Sequence, residues 1–276
     1  MFADDTTIYI ANKCTKVLFQ EANREVANLN NWFNANKLSL NIQKTKYILF
    51  RTKKMKFNDE LSLSIGKEII TRDNHTVFLG MHLDRYLTWD EHVNHVYKKL
   101  SSALYMLRSA KYLLSYHNLR LLYHALFEPY LNYGVLLWSN TTRKNINMLF
   151  KMQKKAIRII NKAKYNDHTN ILFKKSKIVK LNDKISMSYN EFMYKFTKNY
   201  LPFGIQNIFR TNSQIHQYET RQSNYPHMIK HTTSIYNNSF MNKAPILYQN
   251  VHMSLKSKAT VTAFRRGLKK HYIDSY

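Results

Sequence analysis

Residues 1–10 of the chain, MFADDTTIYI, place two adjacent carboxylates, Asp4 and Asp5, in a stretch that is otherwise apolar, β-branched and aromatic. This composition predicts a strand, a turn and a second strand over residues 2–10, with both aspartates at or near the bend. At a tight bend, one carboxylate can project toward a metal ion while the other lies beside it. Carboxylates bind Mg²⁺ in this way together with substrate phosphates. On these residues alone, an exposed turn that uses Asp for its backbone preferences is the simpler explanation.

The sequence after this stretch predicts an α+β unit. Apolar residues recur with the period of one helical face over residues 16–33. Asn34 to Asn36 can end that helix, because Asn tolerates the left-handed conformation. The remaining apolar runs predict strands over residues 38–42, 47–50 and 76–83, and a hairpin over residues 61–70 that turns at Gly66-Lys67.

Beyond residue 87 the periodicity becomes helical. Thr88 and Glu91 form a capping box that predicts the start of a long helix. A second helix is expected to stop at Glu128, because the residue before Pro129 disfavours helical geometry. Tyr133-Gly134 is expected to break the apolar stretch that follows. We therefore predict three parts: an α+β part over residues 1–87, a helical part over residues 88–165, and a basic, mostly helical part with loops over residues 166–276.

The charge is unevenly distributed along the chain. Its 43 Lys and Arg residues against 17 Asp and Glu give a formal net charge of +26. Residues 1–91 hold 13 basic and 11 acidic residues, whereas residues 92–276 hold 30 basic and 6 acidic ones. Codon bias in an AT-rich genome would also enrich lysine, but it would not spare the first third. The asymmetry predicts a polyanionic partner, nucleic acid, for the C-terminal two-thirds.

Several classes of protein are excluded by composition. The single cysteine, Cys14, excludes an internal disulfide framework and a multi-cysteine zinc site. No apolar run approaches the roughly 18–20 residues of a membrane span, and no signal peptide is evident. We therefore expect an intracellular protein of the cytoplasm or nucleus, without a membrane partner and not secreted. His92 and His95 have a helical spacing but no evident third ligand, so we interpret them as surface or cap residues.

Basic residues form a stripe on the helix predicted over residues 143–163. The stripe consists of Lys151, Lys154, Lys155, Arg158 and Lys162, at spacings of 3, 1, 3 and 4. An apolar stripe lies beside it, so the helix can pack on a core and bind phosphates with its other face. An ordinary solvated face is the alternative. The sequence has no acidic residue between Glu128 and Asp167, which favours phosphate binding.

Several short motifs occur in a characteristic order. They are FADDT (residues 2–6), NKLSLN followed by KT (residues 36–45), FLG with LD (residues 78–84), LTW with His92, Tyr133-Gly134 with Trp138, and Gln153 with Arg158. In this order the motifs resemble the C-terminal part of the reverse transcriptases of non-LTR retrotransposons, of the jockey-like kind. The resemblance covers roughly the whole chain and is strongest over residues 2–92. Each motif alone is weak, and their common order carries the resemblance.

The resemblance implies roles for particular residues. Asp4 and Asp5 would be the Mg²⁺-binding carboxylates of a polymerase palm. Lys44 would lie near the pyrophosphate leaving group, where it could supply a proton or a positive charge. The primer grip, which holds the primer end, would consist of Phe78, Leu79 and Gly80. An RNA template and a DNA primer would be the partners. Lys44 can equally be a solvated lysine at a strand end, and the primer grip a buried strand that bends at glycine.

The chain also departs from the family's pattern. Reverse transcriptases need a further aspartate and fingers N-terminal to FADD, where this sequence has only Met1. We therefore interpret it as a C-terminal fragment of an RNA-directed DNA polymerase, with a partial palm, a helical thumb and a basic C-terminal segment. Because phosphoryl transfer depends on positioning, we expect no polymerisation by the chain alone. The alternatives are a non-catalytic basic nucleic-acid-binding protein, in which FADD is a structural hairpin, and a degenerate copy without function.

Overall fold

The structure is a computed structural model of the 276-residue chain. It describes residues 6–55, 61–215, 218, 223, 225–228 and 233–276, and only the backbone of residues 234 and 235. The chain forms two compact units, of which the first ends at Thr88 and the second spans Trp89–Tyr276. The three-part division that the sequence suggested stays a prediction.

The first unit combines one helix with short strands in the residues described. These elements are α1 (Thr15–Ala35), β1 (Lys46–Ile48), β2 (Leu63–Ile65), β3 (Glu68–Asp73), β4 (His75–Phe78) and β5 (Met81–Asp84). β3 pairs in parallel with β1 and antiparallel with β2, and β4 pairs with β5. Phe19 of α1 packs with Leu63, Ile65 and Ile70 in a small core. The unit is α+β, as predicted.

Two predictions for the first unit are confirmed. The helix predicted over residues 16–33 is α1. The predicted hairpin is formed by β2 and β3, with Ile65 opposite Glu68. Gly66 has a φ of 60°, a left-handed conformation that glycine adopts without steric cost. The turn therefore falls where the sequence predicts it.

Two predicted strands of the first unit are not formed. Residues 6–12 contain no strand, so the second strand predicted within residues 2–10 is wrong. Residues 38–41 contain no strand either, and residues 42–44 form a turn. In this turn the N–H groups of Lys44 and Thr45 donate to the carbonyl oxygen of Asn41, at 3.1 and 3.0 Å. Alternating hydrophobicity gives a strand only where a neighbouring strand pairs with it.

The strand predicted over residues 76–83 is instead a hairpin. β4 and β5 are antiparallel, with Phe78 opposite Met81, and the chain reverses at Leu79-Gly80. Leu79 and Gly80 have φ values of 47° and 74°, and a type I′ turn requires positive φ at both central residues. Leucine is disfavoured there by about 1–2 kcal/mol, so the composition does not predict the turn.

The second unit is helical in the residues described. Its helices are α2 (Asp90–Ala110), α3 (Tyr116–Leu122), α4 (Glu128–Asn132), α5 (Val135–Trp138), α6 (Arg143–Ile160), α7 (Thr169–Ser176), α8 (Leu181–Thr197), α9 (Phe203–Gln206), α10 (Ser234–Asn238), α11 (Phe240–Gln249), α12 (Met253–Lys256) and α13 (Val261–Asp274). A π-helical turn, Tyr123–Phe127, lies between α3 and α4, and a 3₁₀ turn, Asn212–Gln214, follows α9. None of the described helices is long and apolar enough to cross a membrane.

Aromatic residues dominate the core of the second unit's C-terminal half. Tyr194 of α8 stacks on Phe264 of α13 with ring centroids 4.3 Å apart. Phe192 of α8 meets Phe240 of α11 edge-on at 4.8 Å. α8 therefore lies at the centre of this half, between α11 and α13. Each of these ring contacts stabilises the fold beyond the burial of its apolar area.

The helix expected to stop at Glu128 continues beyond it. α3 passes into the π-helical turn, and α4 then runs through Pro129. Pro129 lies in the first turn of α4, where a missing N–H loses no hydrogen bond. The break predicted at Tyr133-Gly134 is confirmed, since Gly134 has a φ of 60°.

Lysines occupy the left-handed position at the ends of three helices. Lys37, Lys162 and Lys177 have φ values of 57°, 52° and 53°. After α6, the N–H of Ala163 donates to the carbonyl oxygen of Arg158 at 2.9 Å, which is the closing bond of a Schellman motif. The left-handed residue after α1 is thus Lys37 rather than an asparagine. α6 ends at Ile160 rather than at the predicted residue 163.

Candidate nucleic-acid interface

A basic groove of about 410 Å³ lies on α6. We call it the α6 groove; its lining residues are Tyr97, Met148, Lys151, Met152, Lys154, Lys155, Arg158 and Tyr165. Four of the five residues of the predicted basic stripe therefore share one concave surface. No acidic residue belongs to this lining among the residues described, so an anion in the groove would meet only positive charge.

The amphipathic sequence of α6 sets the direction in which the groove faces. Leu149, Ala156 and Ile160 are completely buried. The hydroxyl of Thr142 accepts the N–H of Asn145 at 3.4 Å, so the first turn of the helix is capped. Because residues three and four apart share a helical face, burial of the apolar side turns the basic stripe outward.

The four cations of the groove have different environments. Lys151 and Lys155 are exposed. The Nζ of Lys154 lies 4.6 Å from the centroid of the Phe150 ring, a cation–π distance. The Nε of Arg158 donates to the carbonyl oxygen of Asp167 at 3.0 Å, which orients the guanidinium. Lys162, the fifth predicted member, lies beyond the end of α6 and does not line the groove.

Two tyrosines that were not predicted from the sequence complete the groove. Tyr165 is 79% exposed, and Tyr97 comes from α2. Aromatic side chains beside cations are typical of surfaces that bind single-stranded nucleic acid through both its bases and its phosphates. Tyr165 follows the basic stripe closely and was detectable as an aromatic residue among lysines. Tyr97 reaches the groove only because α2 packs on α6.

Gln153 supports α6 from its buried side. Its Nε2 donates to the Tyr123 hydroxyl at 2.9 Å and to the Val179 carbonyl oxygen at 3.0 Å. Its Oε1 accepts the N–H of Leu181 at 2.8 Å. Burial raises the pKa of the Tyr123 hydroxyl, so that group stays neutral. Gln153, a member of the Gln…Arg motif, therefore joins α6 to the π-helical turn and to the start of α8 rather than binding a ligand.

Glu128 forms a partly buried cluster with His124 of the π-helical turn and Lys184 of α8. It accepts hydrogen bonds from the Nδ1 of His124 and from the Nζ of Lys184. Burial alone would raise the pKa of Glu128, but the hydrogen bond from His124 and the charge of Lys184 outweigh it and lower the pKa to about 2. Lys184 is thus engaged in an ion pair within the fold and is not a candidate phosphate ligand.

Two of the sequence motifs meet in the core of the second unit. His92, interpreted from the sequence as a surface or cap residue, is only 2% exposed. Its ring centroid lies 6.2 Å from that of Trp89 and 6.1 Å from that of Trp138. The indole N–H of Trp138 donates to the carbonyl oxygen of Tyr133 at 2.8 Å. The LTW…His and Tyr-Gly…Trp motifs therefore hold the start of α2 against α5.

The residues that the resemblance assigns to a palm are described only in part. Asp4 and Asp5 lie outside the described residues. Lys44 is exposed in the turn of residues 42–44, not at a strand end. The predicted primer grip is the tip of the β4–β5 hairpin, with Phe78 and Leu79 exposed rather than in a buried strand. In the described ranges, no three His, Cys, Asp or Glu side chains are grouped to hold a metal ion.

The chain is similar in sequence to a Drosophila melanogaster protein named probable RNA-directed DNA polymerase from transposon X-element, with 22% identity over 188 residues. The match covers 67% of this chain and 20% of that protein, so the chain spans about a fifth of the relative's length. No family model and no solved structure matches the chain. The similarity supports the relationship to the reverse transcriptases of non-LTR retrotransposons that the motifs indicate.

Proposed function

We propose that the chain is a C-terminal part of the RNA-directed DNA polymerase of a non-LTR retrotransposon, and that its second unit binds nucleic acid. The observation that supports binding is the α6 groove, where Lys151, Lys154, Lys155 and Arg158 face one space without an acidic neighbour in the described lining. Cations arranged in this way bind the phosphate backbone whatever its base sequence.

The spacing of the exposed lysines fits a nucleic-acid strand. Lys151 and Lys155 are about one helical turn apart, a rise of about 6 Å along α6, so they can contact neighbouring phosphates of one strand. Tyr97 and Tyr165 offer rings to the bases of that strand. In the parent polymerase, the strand would belong to the RNA template or the DNA primer, and the helices around the groove would form the thumb.

The first unit is proposed to be the remaining part of a palm. Asp4 and Asp5 would be the catalytic carboxylates, and Lys44 would supply a proton or a positive charge to the leaving pyrophosphate. The tip of the β4–β5 hairpin would contact the primer end. The hairpin role is supported by Leu79, which is exposed and yet has a left-handed φ of 47°. A non-glycine residue held in a disfavoured conformation at an exposed tip is common where the tip makes a functional contact.

The proposed relationship implies a divalent metal, Mg²⁺, in the parent enzyme. Asp4 and Asp5 are its proposed ligands and lie outside the described residues. The described part of the chain offers no alternative group of metal ligands.

Reversing the charge of Lys151 and Lys155 tests the groove. If both lysines meet phosphates, the Lys151→Glu/Lys155→Glu variant should lower the slope of log affinity against log salt by about two. The slope is measured by fluorescence anisotropy with a labelled oligonucleotide. Lys269→Glu/Lys270→Glu is the matched control, because it makes the same charge change on exposed residues of α13. An unchanged slope, or an equal loss in the control, would contradict the proposal.

The purified 276-residue chain is expected not to polymerise DNA. The described residues offer no group of three metal-ligating side chains, and positioning supplies most of the catalysis of phosphoryl transfer. The assay is incorporation of labelled nucleotide on a primed RNA template with Mg²⁺. Incorporation that Asp4→Ala abolishes would overturn this expectation.

A non-catalytic nucleic-acid-binding protein is the second candidate function. It is favoured by the charge of residues 92–276, which needs no active site to bind a polyanion. The two candidates differ in what lies upstream in the gene: an in-frame sequence encoding the missing aspartate and fingers supports the polymerase. Both candidates predict the same salt slope.

A further inference from the structure

A second cavity, of about 520 Å³, lies in the C-terminal half of the second unit. Its lining includes residues of α8, α9, α11 and α12, none of which lines the α6 groove. We propose that this cavity, called the C-terminal cavity, binds a nucleobase together with its phosphate. The site is separate from the α6 groove; resting on the proposed nucleic-acid binding, it adds a base contact to those offered by Tyr97 and Tyr165.

The lining provides an apolar floor for a planar ring. Phe196 and Phe209 are 4% and 6% exposed, and their ring centroids lie 5.4 Å apart. Tyr225 and Tyr248 belong to the same lining. Binding sites for small organic rings are built from apolar and aromatic walls with a few polar groups among them.

Amide side chains provide the polar groups that a base edge requires. Gln206 and Asn207 line the cavity, and an amide offers both donors and an acceptor, as the edge of a base does. The Nε2 of Gln206 donates to the Phe196 carbonyl oxygen at 3.0 Å and to the Asn199 Oδ1 at 2.9 Å. Its Oε1 is buried and has no hydrogen-bond partner among the described residues, a cost that a donor from a bound base would offset.

Lys256 provides a fixed positive charge at the cavity wall. Its Nζ lies 5.2 Å from the ring centroid of Tyr225 and 5.0 Å from that of Tyr248. It donates to the Gln249 carbonyl oxygen at 3.0 Å and to the Tyr225 hydroxyl at 3.3 Å. An ammonium group has three donors, so a third can meet a phosphate or a base carbonyl. These contacts hold the ammonium group in place before a ligand binds.

The combination of charge and shape favours a nucleotide over other ligands. Lys198 lines the cavity as a second cation, and no acidic residue belongs to the described lining. A purely apolar ligand would use the aromatic floor but leave the amides and both cations unmatched. A simple anion would use the cations but leave the floor empty. A base with its phosphate uses both.

Two strands of equal charge test the C-terminal cavity. The full chain is titrated, by fluorescence anisotropy, with a short oligothymidylate and with an abasic strand of the same length. The two strands present the same phosphates to the α6 groove, so a difference in affinity reports base contacts, either in the cavity or at Tyr97 and Tyr165. We expect the base-bearing strand to bind about tenfold more tightly, in the range of one base contact.

Two variants connect that preference to the cavity. Asn207→Trp fills the rim at an exposed position and should remove the cavity's share of the preference without changing the salt slope. Lys256→Gln should lower the preference for the base-bearing strand from about tenfold to about threefold or less. Lys258→Gln removes the same charge two residues away, at an exposed residue outside the lining, and should leave the preference intact.

Free thymidine monophosphate distinguishes the two sources of the ligand. Competition by the mononucleotide, lost in Asn207→Trp, supports a site for free nucleotides. A preference that Asn207→Trp lowers, without such competition, supports a base within a strand. A preference that Asn207→Trp leaves unchanged belongs to the α6 groove and overturns the proposal. Equal affinity for both strands together with no mononucleotide binding overturns the proposal. The salt slope on the abasic strand then still tests the α6 groove, so the two failures are distinguishable.

Discussion

Glu128 holds a largely buried charge within the second unit. Its carboxylate accepts from His124, one turn earlier, and from Lys184 of α8. The side chains of Glu128 and Lys184 are only 20% and 17% exposed. Removing one partner of such a pair leaves the other charge buried without compensation, which costs more free energy than the pair contributes.

Glu128→Gln should lower the free energy of unfolding by about 3 kcal/mol at pH 7. The pKa of Glu128 in the folded state, about 2, lies below its ordinary value of 4.5. The unfolded state therefore binds the proton first, and the stability that the carboxylate contributes is lost as the pH falls from 4.5 to 2. The difference between wild type and variant should shrink over the same range. Urea unfolding followed by circular dichroism at several pH values measures it.

Glu91→Gln is the control for this experiment. Glu91 is exposed on the first turn of α2, where its loss should change the free energy of unfolding by at most about 0.5 kcal/mol. A difference between wild type and Glu128→Gln that stays constant from pH 7 to pH 3 would show that Glu128 does not stabilise the fold through its charge.

At the scale of elements, a single glycine sets the start of α5. Gly134 precedes the helix with φ and ψ of 60° and 17°. This left-handed residue turns the chain so that Trp138 is completely buried and its indole N–H reaches the Tyr133 carbonyl oxygen. A residue with a Cβ is strained in that conformation.

Gly134→Ala should therefore destabilise the second unit by about 1–2 kcal/mol. Gly204→Ala is the matched control. Gly204 lies in α9, and a Cβ added there meets nothing within 4 Å, so alanine should leave stability unchanged or raise it by up to about 1 kcal/mol. Thermal unfolding of the two variants beside wild type measures both changes. Equal effects would rule out the backbone conformation as the cause.

At the scale of the whole molecule, the two units differ in the size of their cores. The core of the first unit is described around four buried residues of α1, β2 and β3. The described residues of the second unit include a larger buried core, with side chains such as Trp138, Phe173 and Phe264 fully buried. A unit that buries its own apolar surface can fold alone, and larger units bury a larger fraction.

Residues 89–276, produced separately, should fold cooperatively and bind oligonucleotides with the salt slope of the full chain. The reason is that the helices, their core and the α6 groove all belong to the second unit. Far-UV circular dichroism during urea unfolding measures the folding, and anisotropy measures the slope. A non-cooperative transition, or a much smaller slope, would show that the second unit depends on the first.

Much of the helical structure follows from the sequence alone. α1, α2 and α6 lie where apolar residues recur on one helical face. The hairpin at Gly66 and the break at Gly134 lie where glycine permits a positive φ. The clustering of Lys151, Lys154, Lys155 and Arg158 follows from the helix period. These features were predictable because they depend on residues within one or two turns of one another.

Other features were decided by contacts between distant residues. Residues 38–42 alternate as a strand does but have no strand pairing. Leu79 turns the chain within a predicted strand, because β4 and β5 pair with each other. The path of α4 through Pro129, the burial of His92 against Trp138 and the place of Tyr97 in the α6 groove all depend on neighbours brought close by folding.

The sequence by itself thus determined the periodic helices, the turns at Gly66 and Gly134 and the concentration of positive charge after residue 91. Only the tertiary structure decided which strands pair, which polar and aromatic side chains are buried, and which cations share a groove with tyrosines. The physical reason is the distance along the chain over which each interaction acts. Helical periodicity and turn preference act over a few neighbouring residues, whereas strand pairing and burial depend on partners far away in the sequence.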